Sequence, residues 1–293
     1  MAKVKIGTFN VNNLYSRFVD PYEFTENATY RSPSQKPKLF SQRFNLFQRI
    51  FLGNPDILAM QEVENKGILH EFNAVHFGEK YPFEVLIEGN DFRGIDVGLL
   101  SKFPIGEVTS HQYLTDPACT AFANRVFSRD LLEVEILTAD GNSPLFTFFI
   151  THLKSKYTDY KKSEEKQILE KKEADDLRTM QAEKIVKIVK EKFGDMDTAK
   201  FVIAGDFNDT PDSLCLSALV AHGNELKCYN VVEELEENKK ARATYKNKQE
   251  QIDYILLSSA LKGKLVPGSV KIGNESAYND ASDHFPVFAE LEF

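Results

Sequence analysis

Residues 201–210 read FVIAGDFNDT, an apolar run that stops on two acids and an amide. Aromatic and β-branched residues in such a run are typical of a buried strand. A charge left half-buried at the end of that strand costs several kcal/mol unless it has a partner. The stretch therefore predicts a core strand that delivers Asp206, Asn208 and Asp209 to a metal ion or a histidine.

The composition is that of an ordinary globular protein. The chain has 293 residues, of which 42% are hydrophobic and 27% are charged, enough for a large core in one or two domains. Its three cysteines are too few and too scattered for a disulfide framework or a cysteine-rich zinc site. The net charge of −8 argues against nonspecific nucleic-acid binding by the whole surface. It does not exclude catalysis on a phosphate in a cleft that holds a cation.

We expect neither a secretion signal nor a membrane anchor from this sequence. Its first residues, MAKVKIGTFN, enter a strand-like alternation without the apolar segment of a signal peptide. No stretch is long enough to span a bilayer, and no amphipathic helix for membrane docking is recognisable. We therefore expect a cytoplasmic monomer without stable membrane insertion, or a secreted protein if a signal has been removed.

Strand-like and helical patterns alternate along the chain without a strict repeat. The strand-like runs span residues 4–11, 56–63, 83–89, 96–105, 129–139, 145–153, 201–207, 251–258 and 285–293. The helical patterns span residues 41–53, 66–78, about 159–193, and 212–223. Polar residues at 20–38 and 236–250 predict surface loops. The pattern predicts one α+β domain over residues 1–293, a four-layer α/β sandwich of two stacked, mostly antiparallel mixed sheets flanked by helices.

Five other strand ends carry polar residues in the same way as GDFND. They supply Asn10, Asn12, Gln61, Glu62, His152, Asp253, Asp283 and His284. Each has an ordinary explanation on its own, such as a turn cap, a solvated acid or a hydrogen-bonded core histidine. Together they indicate a shared site, because sheet topology can bring all these ends to one rim. Oxygen donors without a thiolate favour Mg²⁺ or Mn²⁺ over zinc, with Glu62 as the first choice of ligand.

Six motifs occur in a fixed order: FNVNNL, LAMQEVEN, THLKSK, AGDFNDTP, QIDYILLS and SDHFPV. In this order they resemble the endonuclease/exonuclease/phosphatase superfamily, which has a deoxyribonuclease-I-like fold, and look closest to bacterial nuclease-like members. The resemblance covers nearly the whole chain. It implies Glu62 as a metal ligand, Asn10 as a nearby ligand or phosphate contact, and Asp283 as a further acid on the metal side. At Asn12, where several nucleases carry an acid, the sequence departs from the family pattern.

The same resemblance implies roles for the catalytic residues. Asp206 matches an acid that acts on the water nucleophile or on a second metal, and Asn208 matches a contact to the scissile phosphate. His284 matches a general base or transition-state stabiliser, with Asp253 as the carboxylate that orients it. His152 matches a second histidine found in the nuclease and sphingomyelinase branches.

Four further residues are candidates for substrate binding. In NDFRGIDVGLL, an opening similar to that of bacterial family members, Arg93 would grip a phosphate and Asp96 would pair with His152. A local ion pair around the glycine turn is the alternative. Lys154 and Tyr245 would contact substrate on the cleft wall, although solvated lysines and loop tyrosines are common.

The leading interpretation is an Mg²⁺-dependent phosphoric ester hydrolase, a nuclease or phosphodiesterase that cleaves a nucleic acid with activated water. A cation and polar donors would stabilise the charge that develops on the phosphate oxygens. The alternative is a phosphatase or phospholipase-C-type hydrolase acting on a small phosphorylated molecule or a lipid headgroup. A catalytically silent binding module is disfavoured, because loss of function usually removes a metal ligand or the base, and both are present.

Overall fold

The strands form two six-stranded sheets, A and B, which lie face to face in the computed structural model. Residues 2–15, 38, 40–157, 160–238, 242–274 and 281–293 are described. Their strands, in chain order, are β1 (Lys3–Leu14), β2 (Ile57–Val63), β3 (Phe83–Leu86), β4 (Asp96–Ser101), β5 (Ile105–Ser110), β6 (Leu131–Leu137), β7 (Pro144–His152), β8 (Phe201–Asp206), β9 (Tyr229–Asn230), β10 (Asp253–Leu257), β11 (Lys271–Ile272) and β12 (Val287–Glu292).

Most of the helices cover the outer faces of the sheets, and the last of them contributes Leu261 to the apolar layer between the sheets. The helices are α1 (Phe40–Gly53), α2 (Lys66–Phe72), α3 (Glu164–Phe193), α4 (Ser217–Val220) and α5 (Ser259–Lys262). Among the helices in the described ranges, none combines the length and the apolar character needed to cross a membrane. One side of α1 nevertheless exposes the rings of Phe40, Phe44 and Phe51, a feature that the sequence pattern does not predict.

Each sheet is built around one parallel pair of strands. Sheet A has the order β11-β12-β1-β2-β4-β3 with β1 parallel to β2, and sheet B has the order β5-β6-β7-β8-β10-β9 with β7 parallel to β8. The two strands of a parallel pair end at the same edge, and their antiparallel neighbours begin there. A hydrogen bond from Asn10 of β1 to Asp206 of β8 shows that the two edges form one rim.

Three apolar layers hold the stack together. Between the sheets, Ile6 and Leu99 of sheet A pack with Phe148 and Ile255 of sheet B in one buried cluster. Two outer clusters fasten the helices, one joining α1 and α2 to sheet A and one joining α3 and α4 to sheet B. The sequence of layers is helix, sheet, sheet, helix, so the predicted four-layer α+β sandwich is confirmed.

The predicted elements differ from the structure in a few places. The run predicted as one strand at 96–105 is two strands in different sheets, separated by a turn that ends at Pro104, which has no N–H for a ladder. The predicted helix at 66–78 is α2 followed by a π-helical turn, and α4 covers only part of 212–223. β9 and β11 have two residues each, too few for a sequence pattern.

Two predicted features fall partly outside the described residues. The predicted loop at 20–38 lies outside them except for residue 38, and so does the predicted start of the long helix near Asp159. The described part of that helix begins at Glu164, directly after Ser163. The predicted loop at 236–250 is described except for residues 239–241, and it contains the bridge between Tyr245 and Glu250.

Candidate active site

The ends of β7 and β8 place His152 beside Asp206. The two residues are register partners, and Nε2 of His152 lies 3.4 Å from Oδ2 of Asp206. The strands approach closely here because Gly205 has a φ of 145°, and a Cβ at this position would lie 1.8 Å from the carbonyl oxygen of Thr151. Only glycine fits this approach, which explains the glycine of the GDFN motif.

His284 and Asp253 form a buried hydrogen-bonded pair next to Asp206. The carboxylate of Asp253 lies 2.9 Å from Nδ1 of His284, and Asp253 is the register partner of Asp206 across β10 and β8. Nε2 of His284 then faces the cleft, 3.8 Å from Oδ2 of Asp206 and 4.0 Å from Oδ1 of Asp283. His284, Asp253 and Asp206 are all almost completely buried. The pair therefore presents one imidazole nitrogen to the cleft in a fixed direction.

The two histidines of the site have opposite pKa shifts. Burial lowers the pKa of His284, but the charges of Asp253 and Asp206 outweigh it and raise that pKa well above 6.5. Burial, together with the charges of two arginines, lowers the pKa of His152 well below 6.5. Burial raises the pKa of Asp206 to about 7. These shifts favour the cationic form of His284 and the neutral form of His152 at neutral pH, and they bring Asp206 into the range where it can exchange a proton.

A buried arginine fixes the backbone around His284. Arg49 of α1 donates through Nη1 to the carbonyl oxygen of His284 at 2.7 Å and to that of Ser282 at 3.3 Å. The hydroxyl of Ser282 donates to the carbonyl oxygen of Asn10 at 2.8 Å. These bonds tie the SDH motif to the end of β1, so His284 is positioned from sheet A although its partner Asp253 belongs to sheet B.

Glu62 is presented by an irregular end of β2. It has a φ of 65°, in the left-handed region, where the pairing of β2 with β4 shifts register. Its Oε2 accepts the backbone N–H of Asn13 at 2.9 Å, and its Oε1 lies 4.0 Å from Nε2 of His152. A left-handed non-glycine residue costs free energy, so its occurrence at a candidate ligand is typical of a functional site.

The asparagines that end β1 connect the two sides of the cleft. The amide of Asn10 donates to Asp206 of sheet B at 2.9 Å and to Glu62 of sheet A at 3.3 Å. Asn12, also left-handed, donates to Asp283 at 2.6 Å. The departure from the family pattern at Asn12 therefore supplies a neutral donor to an acid.

The donor set on the Glu62 side fits a hard divalent cation. Glu62 is in contact with Asn10, Asp283 is linked to Asn10 through Asn12, and no cysteine takes part in the described contacts of this cleft. Oxygen donors of this kind suit Mg²⁺ or Mn²⁺. Asp206, Asp253 and His284 also have ligand atoms within 4.8 Å of one another. In the structure this second group is joined by hydrogen bonding, with Nδ1 of His284 bonded to Asp253.

The predicted pairing of Asp96 with His152 is wrong. The carboxylate of Asp96 accepts the backbone N–H of Gly89 at 2.8 Å, and burial raises the pKa of Asp96 to about 7. Nδ1 of His152 has no hydrogen-bond partner within the described parts of the chain. The side chain of Asp96 therefore contacts the loop that precedes its own strand. In that loop, Arg93 forms an ion pair with Asp91 through two hydrogen bonds of 3.0 Å.

Of the remaining predicted residues, Asn208, Lys154 and Tyr245 lie around the cleft and Asp209 does not. The amide of Asn208 donates to the carbonyl oxygen of Leu153 at 3.1 Å. Burial lowers the pKa of Lys154, and nearby arginine charges lower it further. The ring of Tyr245 lies 5.2 Å from that of His284, and the two residues form a backbone bridge. Asp209 takes no part in the cleft, because it pairs with the buried Arg178 of α3 at 2.9 Å.

Three buried arginines support the site and carry no recognisable sequence signal. They are Arg49, Arg129 and Arg178. Arg129 donates to Asp91 at 2.9 Å and to the carbonyl oxygen of Leu153 at 3.1 Å. An arginine in a helix or at a strand start usually extends into solvent, so these positions become informative only when the fold shows what they contact.

Comparisons with known proteins agree with this architecture. Residues 5–272 match the sequence profile described as Endonuclease/Exonuclease/phosphatase family. No curated protein shows significant sequence similarity to the chain. An endonuclease/exonuclease/phosphatase from Beutenbergia cavernae DSM 12333 superposes with a TM-score of 0.67 at 14% identity, over 99% of this chain and 72% of that one.

Two further solved structures share the fold. The human Nocturnin catalytic domain with bound sulfate anion has a TM-score of 0.65 at 14% identity, over 99% of this chain and 94% of that one. TDP2 from D. rerio complexed with single strand DNA product has a TM-score of 0.59 at 18% identity, over 100% of both chains.

Proposed function

This chain belongs to the Endonuclease/Exonuclease/phosphatase family, and we propose that it is a divalent-metal-dependent phosphodiesterase that cleaves nucleic acid with activated water. Membership of the family supports phosphoester hydrolysis in general. The metal, the substrate and the residue roles are our inference from the cleft. We also propose that residues 1–293 form a single catalytic domain.

The observation that carries the proposal is the buried pair of His284 and Asp253 beside Asp206, across the cleft from Glu62. The raised pKa of His284 favours its protonated form, in which Nε2–H would donate to the charge that develops on a phosphate oxygen. The pKa of Asp206, about 7, suits a carboxylate that accepts a proton from water near neutral pH. Nε2 of His284 and Oδ2 of Asp206 lie 3.8 Å apart. A water bound to Asp206 would therefore be close to a phosphate oxygen bound to His284.

Glu62, Asn10 and Asp283 would hold the metal ion. When bound, Mg²⁺ or Mn²⁺ supplies positive charge to the nonbridging oxygens of the phosphate. Asn10 holds Glu62 and Asp206 in a fixed relation by donating to both. In the same way, the side chain of Asn12 orients Asp283 and the backbone N–H of Asn13 orients Glu62.

Cations and polar donors support a phosphodiester as the substrate. We assign Asn208 and the neutral His152 to the scissile phosphate and Lys154 to a neighbouring phosphate. The predicted phosphate contact of Arg93 gives way to the alternative, a local ion pair, because its Nε and Nη2 are bonded to Asp91. Tyr245 would contact the substrate beside His284. A relative of the same fold was solved with a single strand DNA product, which supports nucleic acid over a small phosphomonoester.

An activity panel tests the proposal. The purified protein is incubated with plasmid DNA, RNA, bis-p-nitrophenyl phosphate and p-nitrophenyl phosphate, each with Mg²⁺ or EDTA. We expect cleavage of nucleic acid and of the diester with Mg²⁺ only, lost in His284→Ala and retained in the control His222→Ala, which removes an exposed histidine. Cleavage of the monoester alone would support a phosphatase, and cleavage of no substrate would support a silent module.

A further inference from the structure

Phe92 is the most exposed large apolar side chain in the described parts of the chain, with 96% of its surface accessible. Single exposed apolar residues are common on protein surfaces and need no explanation by themselves. Phe92 differs from such residues in two independent respects, which are the rigidity of the turn that carries it and the position of that turn beside the candidate active site.

The turn that carries Phe92 is fixed by the charged residues that precede and follow it in the chain. The backbone N–H of Gly94 donates to the carbonyl oxygen of Asp91 at 2.9 Å and closes the turn. The carboxylate of Asp91 accepts bonds from the side chains of Arg93 and Arg129, and it is almost buried. A turn held by these bonds resists rearrangement, so the backbone at Phe92 keeps its position.

The turn lies next to the metal side of the cleft. The hydroxyl of Tyr15 donates to the carbonyl oxygen of Arg93 at 3.3 Å, and Tyr15 directly follows β1, whose Asn13 binds Glu62. On the other side of the turn, Arg129 donates to the carbonyl oxygen of Leu153, next to His152. Phe92 thus projects from a segment connected to both halves of the site.

Two exposed tyrosines near Lys154 are further aromatic side chains that could stack on bases. Tyr157 and Tyr160 follow Lys154 in the chain and are exposed by 71% and 79%. Their rings are 6.5 Å apart and nearly perpendicular. Alternating cations and exposed aromatic rings are typical of proteins that bind single strands, because cations neutralise phosphates while rings stack on bases.

We propose that Phe92 is a stacking platform for an unpaired nucleobase next to the scissile phosphate, which makes single-stranded nucleic acid the preferred substrate class. The proposal rests on the proposed function, because it places the stacked base relative to the same catalytic phosphate. A paired base cannot offer its face to the ring until it leaves the helical stack, so matched duplex is the poorer substrate.

The absence of tryptophan from the sequence provides a direct test. Phe92→Trp, made in a His284→Ala background with Mg²⁺, carries a single tryptophan at the proposed platform and does not cleave its ligand. We expect its fluorescence to be quenched by a single-stranded oligonucleotide, in parallel with binding followed by the anisotropy of a labelled strand. An oligomer of the sugar-phosphate backbone without bases should bind without quenching.

The matched control is Phe51→Trp in the same background. Phe51 is about half-exposed near the end of α1, close to the start of β2, whereas Glu62 lies at the other end of that strand. Its tryptophan should not respond to the oligonucleotide. Unchanged Phe92→Trp fluorescence at concentrations where anisotropy shows bound oligonucleotide would overturn the stacking proposal.

Kinetics separate this proposal from the function on which it rests. Phe92→Ala should raise the KM for a single-stranded oligonucleotide by about 5- to 100-fold, with no change for the oligomer without bases. If the wild type cleaves the oligonucleotide and Phe92→Ala has the same KM, only the stacking proposal fails. If the wild type cleaves no nucleic acid, the proposed function itself fails.

Discussion

Replacing Asp253 with asparagine tests the central pair of the candidate site. The substitution preserves the size of a fully buried side chain and removes the charge that faces Nδ1 of His284 at 2.9 Å. Burial opposes protonation of His284, and the charge of Asp253 is the largest of the contributions that overcome it. We therefore expect the pKa of His284 to fall in this variant, which can be measured by NMR titration of its ring in EDTA.

The effect on catalysis should be large and confined to turnover. A positioned acid or base contributes roughly 10²- to 10⁴-fold to a rate, equivalent to about 3–5 kcal/mol of transition-state stabilisation. We expect Asp253→Asn to lower kcat on bis-p-nitrophenyl phosphate by roughly this factor, with KM changed by less than about threefold. The reason is that Asp253 acts through His284 and has no assigned contact with the substrate.

Two further variants make the result decisive. Asp130→Asn is the control, because Asp130 is an equally buried acid just before β6 and has no role in the proposed chemistry. Asp253→Asn combined with His284→Ala should be no slower than His284→Ala alone, because the two residues act as one unit. A kcat for Asp253→Asn within about threefold of wild type, with the fold intact by circular dichroism, would refute the reasoning.

Three other substitutions have definite expected outcomes. Glu62→Gln should raise the Mg²⁺ concentration for half-maximal activity by at least about tenfold, and an unchanged metal titration would exclude Glu62 as a ligand. Gly205→Ala should lower the free energy of unfolding in urea by about 3 kcal/mol or more, because its Cβ would overlap the carbonyl oxygen of Thr151; a loss below about 1 kcal/mol would show that the strands can separate there. Burial raises the folded-state pKa of Asp130 to about 6, so its contribution is most favourable below about pH 4 and declines as the pH rises to about 6, by about 3 kcal/mol. Asp130→Asn should therefore gain stability relative to wild type between pH 4 and pH 7 in urea titrations, and a constant difference would contradict the raised pKa.

Strand-end chemistry could be predicted from the sequence because it follows a regular pattern. Apolar runs stop at polar residues, and a sheet gathers such ends at an edge. The structure brings Asn10, Glu62, His152, Asp206 and His284 together at one rim. The layered fold followed from the same runs.

Features that depend on long-range packing could not be predicted in this way. Arg49 is an ordinary helical cation in the sequence, and its role appears only when α1 packs beneath the segment that contains His284. Asp96 and His152 have the expected residue types, but the carboxylate of Asp96 is captured by the neighbouring N–H of Gly89. The local backbone geometry determines that Asp96 contacts Gly89 instead of His152, and the spacing of residues along the chain does not predict this contact.

Asn10 donates to Glu62 on sheet A and to Asp206 on sheet B, so the geometry of the cleft depends on how the two sheets are positioned. If the sheets slide past each other by a fraction of an ångström, the bond from Asn10 to Asp206 changes length while the bond to Glu62 within sheet A does not, so Asp206 shifts relative to Glu62. Volume changes at intersheet positions such as Phe148 should therefore alter turnover without touching the substrate. The packing between the sheets would then be constrained by the proposed activity as well as by stability.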